Sequence, residues 1–150
     1  MRTILAILML AASVAHAGVL PTELRSALAQ GALAKFWGNA RDSSGKPIVP
    51  RDDRDRMTYP VTPKVMQQVL DAGELSGLAE WCLLDWKPRY FALTRAARKE
   101  KFSDKQVAFV SFLHGFTQGA ILSVMERKAC SQSARSRVRE ALSRSPLIRQ

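Results

Sequence analysis

The sequence predicts an all-α, single-domain bundle of five or six helices, with one disulfide and a central apolar helix. Three observations predict it. No stretch alternates apolar and polar residues strongly enough to demand a strand. Helix-start chemistry recurs along the chain. Thr62-Pro63 sets an N-cap residue before a first-turn proline, and Ser103-Asp104-Lys105-Gln106 is a capping box. Finally, residues 107–125, nineteen in a row, contain no Asp, Glu, Lys or Arg, although the chain carries a net charge of +10.

The first segment has the layout of a secretory signal peptide. Arg2 supplies the positive end, residues 4–14 are apolar, and Ala15-His16-Ala17 is a small-x-small site, so cleavage is expected before Gly18. The apolar run is too short for a permanent bilayer anchor, and no cysteine near the site invites lipidation. An exported protein is expected, periplasmic where the host has two membranes. Residues 18–150 then make one ordinary domain, long enough to bury roughly two-thirds of the surface its unfolded form exposes. The signal holds one arginine and no acid, so its removal lowers the net charge from +10 to +9. Such a charge favours acidic partners, whether a protein face, anionic lipid or a polyanion, or it simply solvates helix faces.

The first helix opens at Pro21-Thr22-Glu23-Leu24 and runs to about Trp37, with Leu24, Leu28 and Ala32 on one stripe, until Gly38 stops it. Residues 39–63 form a proline-rich polar connector that holds Pro47, Pro50, Pro60, Pro63 and the charge run Arg51-Asp52-Asp53-Arg54-Asp55-Arg56. Prolines remove donors and charges resist burial, so a surface loop, in part without order, is expected. Connectors this long are commonly functional or mobile. Thr62-Pro63 starts a helix that turns Val65, Val69 and Leu70 inward and ends near Gly73. Another is expected from Glu74 through Leu78, Trp81, Cys82 and Asp85 to Trp86. Pro88 then restarts or kinks the chain into residues 89–100. The capping box opens a helix reaching about Lys128, and a basic helix covers residues 132–143 before Pro146.

The central helix is long enough to cross a bilayer, but Ser111, His114, Thr117, Gln118, Ser123 and two glycines argue for a buried bundle core instead of a stable membrane span. Ser111, His114 and Gln118 share one face at i, i+3 and i+7, with Gly115 and Gly119 beside them. Glycines four apart allow another backbone to approach. These five residues form a candidate binding notch, either a small polar pocket or a groove for a partner's side chain. Alternatively, His114 and Gln118 are buried, bonded to loop carbonyls, and fix helix register.

Cys82 and Cys130 form an even pair in an oxidising compartment, which reads first as a disulfide and second as a catalytic thiol. Enzyme readings find little else. His114 is the only histidine beyond the signal, so no multi-histidine metal site can form and no metal is expected. No GxSxG elbow supports a serine nucleophile, and Glu74, Glu80 and Asp85 lie on an ordinary helix. No phosphate-binding or dinucleotide glycine motif occurs, so no cofactor is expected. Arg135, Arg137, Arg139 and Arg144 spread around the last helix and form no single stripe, which together with export argues against nucleic acid.

From Leu78 to Leu147 the chain resembles the Rap/Tai family of type VI secretion immunity proteins. The resemblance rests on Leu78-x-x-x-Cys82, Phe112-x-x-Gly115-x-x-x-Gly119, Cys130, Val138, Leu142 and Pro146-Leu147. It implies a small, exported, helical, disulfide-bonded protein that neutralises toxins injected into the periplasm, and it assigns no fixed inhibitory residues. The expectation is an exported, non-enzymatic binding protein that inhibits a periplasm-acting toxin such as a cell-wall hydrolase. Residues 39–62 or the His114/Gln118 notch would make the contact. The other reading is an accessory or chaperone-like protein that meets anionic envelope components.

Overall fold

The structure, a computed structural model, describes residues 20–144; the expected signal peptide and Pro146-Leu147 lie outside them. Six helices follow in order and, among the described residues, no strand: α1 (Thr22–Phe36), α2 (Asp53–Met57), α3 (Pro63–Trp81), α4 (Lys87–Lys99), α5 (Asp104–Met125) and α6 (Gln132–Arg144). The fold is the predicted all-α bundle around a central apolar helix. That helix is α5, packed by α1, α3 and α4. It is long and apolar enough to cross a membrane by length and composition. Here Phe109, Val110, Leu113, Thr117 and Ile121 are buried within the protein.

Local chemistry explains the boundaries. Thr62 Oγ1 accepts the Val65 amide at 3.3 Å, with proline in the first turn behind it. At α5 both halves of the capping box are made: Ser103 Oγ accepts the Gln106 amide and Gln106 Oε1 accepts the Ser103 amide. Gly38, at φ 78°, ends α1 in a left-handed turn that L-residues rarely adopt.

Three expectations about the elements are corrected. Gly73 does not end a helix; α3 continues through it and through Gly77 to Trp81, because both glycines face α5 at close range. A Cβ on Gly73 would lie 2.7 Å from the His114 carbonyl oxygen, and one on Gly77 would lie 2.6 Å from Ile121 Cβ. Conversely, Gly115 and Gly119 face open space, so the close backbone approach belongs to the other helix of the pair. Leu24 lies at the rim of the α1 stripe, 41% exposed.

The connector is also more structured than its composition suggests. Ile48 and Val61 are in the core, Arg41 and Pro47 form an isolated bridge, and Asp52 caps the short α2 by accepting the Asp55 amide. Three successive residues at the start of α5 clamp it. Asp104 accepts the Ser43 hydroxyl at 2.6 Å, Lys105 donates to Asp55 at 2.8 Å, and Gln106 donates to the Pro60 carbonyl at 3.0 Å. The polar residues are there because they satisfy one another.

Cys82 and Cys130 are joined in a disulfide with Cα atoms 5.2 Å apart. It anchors a second apolar cluster of Ala79, Cys82 and Val138, edged by Trp81, Trp86 and Leu142, which docks α6 onto α3. Arg135 Nε reinforces that joint by donating to the Cys82 carbonyl at 2.8 Å.

Candidate functional site

The polar face of α5 meets α3 and is not open. Ser76 Oγ and His114 Nε2 share a hydrogen bond at 2.9 Å, and Gln118 Nε2 donates to Glu80 Oε2. Both pairs are 38 residues apart and rise together, so α3 and α5 run parallel with Ser76 and Glu80 one turn apart opposite His114 and Gln118. His114 is 1% exposed and lies against the rings of Tyr90 and Trp86, at 4.9 and 6.0 Å between centroids. Burial pulls its pKa from 6.5 down to about 4, so the imidazole is neutral at ordinary pH. Its hydrogen-bond partner is the Ser76 side chain of α3, not a loop carbonyl. Gly115 and Gly119 are exposed on the other side of α5 and do not join this cluster.

Ser111 separates from its two neighbours and reaches a different feature. It lines a cleft of about 320 Å³ with Ala40, Arg41 and Ser43 of the connector, Arg98 of α4 and Phe112 of α5. The acids at the rim are engaged. Asp104 accepts from Ser43, and Asp42 accepts from the Ser44 hydroxyl and from the Ser44 and Lys46 amides, which lowers its pKa. Arg41 donates once, to the Gly45 carbonyl, while Arg98 has no ion-pair partner among the described residues.

The carboxylates that catalysis would need are similarly committed. Glu74 is buried, paired with Arg25 at 2.5 Å, and accepts the Leu20 amide at 3.2 Å. Asp85 accepts the Lys87 amide at the start of α4. Asp55 is held at a pKa of about 2, first by the hydrogen bond from Lys105 and then by the Arg51 amide. Among the described residues no group of three or more His, Cys, Asp or Glu side chains is placed to hold a metal ion. One cation is under-served: Arg89 encloses its Nη2 without an acceptor among the described residues, and burial lowers its pKa.

Sequence reasoning missed Ser76, weighed Glu80 only as a catalytic acid, reached Arg41 and Ser43 only as part of the 39–62 connector, and missed Arg98. Ser76 and Glu80 sit four apart on α3, the spacing of one helix face, but nothing local identifies partners 38 residues away. The cleft joins three elements distant in sequence and has no linear signature. The chain matches no protein-family model, no curated protein and no solved structure.

Proposed function

We propose that this chain is an exported, non-enzymatic binding protein that inhibits a toxin acting in the periplasm, with cell-wall hydrolases as the target class. The observation that carries the reading is the Cys82–Cys130 disulfide. Such cross-links persist in oxidising compartments, which is where a chain beginning with the expected signal would go. The disulfide also links the two cysteines of the region that resembles the Rap/Tai immunity proteins.

Two further features support it. The groups best suited to chemistry, His114, Glu74 and Glu80, are taken up in contacts within the bundle. The connector, in contrast, holds Val49 and Met57 at 66% and 78% exposure on a backbone clamped to α5. Apolar tips on a preorganised loop suit steric plugging of an enzyme cleft, because little entropy remains to be lost on binding. A second reading, an accessory protein that meets anionic envelope components, is favoured by the cations of α4, none of which has an acidic partner among the described residues.

The test is genetic. Deletion should harm cells only when a competitor or sister cell delivers the matching toxin to the periplasm, and a chain lacking residues 1–17 should fail to protect. Envelope defects in unchallenged deletion cells would instead support the second reading.

A further inference from the structure

Residues 87–101 hold six cations and one acid. On α4, Tyr90, Leu93 and Ala97 turn toward the core, with Leu93 and Ala97 buried and Tyr90 against His114. The opposite face presents Lys87, Phe91, Arg95 and Arg98 at i, i+4, i+8 and i+11. Phe91 is 52% exposed there, with its ring 5.5 Å from that of Tyr90. None of those three cations is ion-paired among the described residues. Arg98 ends this stripe and also lines the cleft shared with Arg41, Ser43 and Ser111.

We infer that the outer face of α4 and this cleft form one docking surface for an acidic loop of a protein partner, with a carboxylate side chain seated in the cleft beside Arg98. Charge complementarity selects the partner: residues 87–101 hold six cations against one acid, and Arg98 has no ion pair among the described residues. Asp42 and Asp104, which also line the cleft and keep their charge, confine the partner's carboxylate to the Arg98 side. Phe91 supplies the apolar contact at the centre of the cationic stripe, and arginine and aromatic residues are the types that carry binding energy at protein interfaces. The concavity favours a protein over a lipid surface. A headgroup plane meets the convex helix face but cannot enter a recess walled by the connector turn, whereas a loop can place a side chain there.

This inference rests on the binding-protein reading, and it is tested on the surface itself. The probe is a short poly-L-glutamate peptide, titrated at low salt into the purified chain of residues 18–150. Arg95→Glu/Arg98→Glu should weaken binding about tenfold, the scale of two exposed ion pairs. Arg137→Glu/Arg139→Glu on α6, with the same change in net charge, should have much less effect. Ser111→Phe, which fills the cleft without changing charge, and Arg98→Gln should each weaken binding too. Equal losses in the α4 and α6 variants would overturn the proposal, because net charge alone would then explain binding. So would failure to bind the peptide with retained α4-dependent binding to phosphatidylglycerol vesicles. Either result would move the partner contact elsewhere and leave the toxin-protection experiment to decide the function.

Discussion

Gly77 of α3 lies so close to Ile121 of α5 that an added Cβ would stand 2.6 Å from the isoleucine Cβ and 2.9 Å from the Gln118 carbonyl oxygen. With Gly73 one turn earlier, it lets the two longest helices run side by side in parallel. Gly73→Ala and Gly77→Ala should each destabilise the fold by about 1–3 kcal/mol, as overpacking does. Gly115→Ala and Gly119→Ala meet open space on an exposed helix face and should stabilise it by about 0.5–1 kcal/mol each. Denaturant midpoints of the four variants check the pattern; the reverse order would mean that α5 packs through its other face.

Burial of neutral His114 makes stability depend on pH. Its folded pKa, about 4, lies below the ordinary 6.5, so the unfolded chain takes up a proton that the folded chain refuses. The stabilisation is complete above about pH 6.5 and is lost as pH falls toward 4, on the order of 3 kcal/mol for this shift. Unfolding free energies measured from pH 7 to 4 should fall steeply in the native protein and more gently in His114→Gln. Parallel curves would mean that the imidazole is accessible to water.

Leu83 follows the C-cap of α3 at φ 57° and is 85% exposed. Its amide bonds to the Glu80 carbonyl and the Leu84 amide to that of Ala79, a helix ending that normally uses glycine at this position. Leu83→Gly removes left-handed strain and loses almost no buried surface, so it should raise stability by up to about 1 kcal/mol, partly offset by the freer unfolded chain. A lower melting temperature would show that the side chain packs against something.

Reducing the Cys82–Cys130 bond opens a loop of 48 residues, which costs about 4 kcal/mol in the chain-entropy model. α6 packs on α3 beside this bond, with Val138 its one buried residue. Its amides should therefore gain hydrogen exchange before those of α5. Unchanged exchange in α6 after reduction would assign the docking to packing alone.

Much of the bundle was legible because its signals are local. Thr62, Ser103 and Gly38 act within four residues of themselves, and the apolar run of α5 announces its own burial. What escaped depends on distant partners. Gly73 has the same local appearance as a helix stop and as a contact point, and only the position of Ile121 and Thr117 decides between them. Composition described the connector as solvated, yet Asp55 is there to meet Lys105, and Ile48 and Val61 fill the core beside it. Spacing places His114 and Gln118 on one face, but Ser76 and Glu80, which close that face, lie 38 residues earlier. Spacing groups Ser111 with them, yet it belongs to the cleft beside Arg98.

Whether this chain inhibits a toxin is decided by finding whether a cell-wall hydrolase gene lies beside its own and mixing that gene's product with the purified chain of residues 18–150. A stoichiometric complex that survives gel filtration, as tight pairs burying about 1,600 Å² do, is expected, with loss of hydrolysis. Absence of any complex, with hydrolysis unchanged at molar excess of the inhibitor, would contradict the inhibitor reading, as would turnover of a cell-envelope substrate by this chain alone.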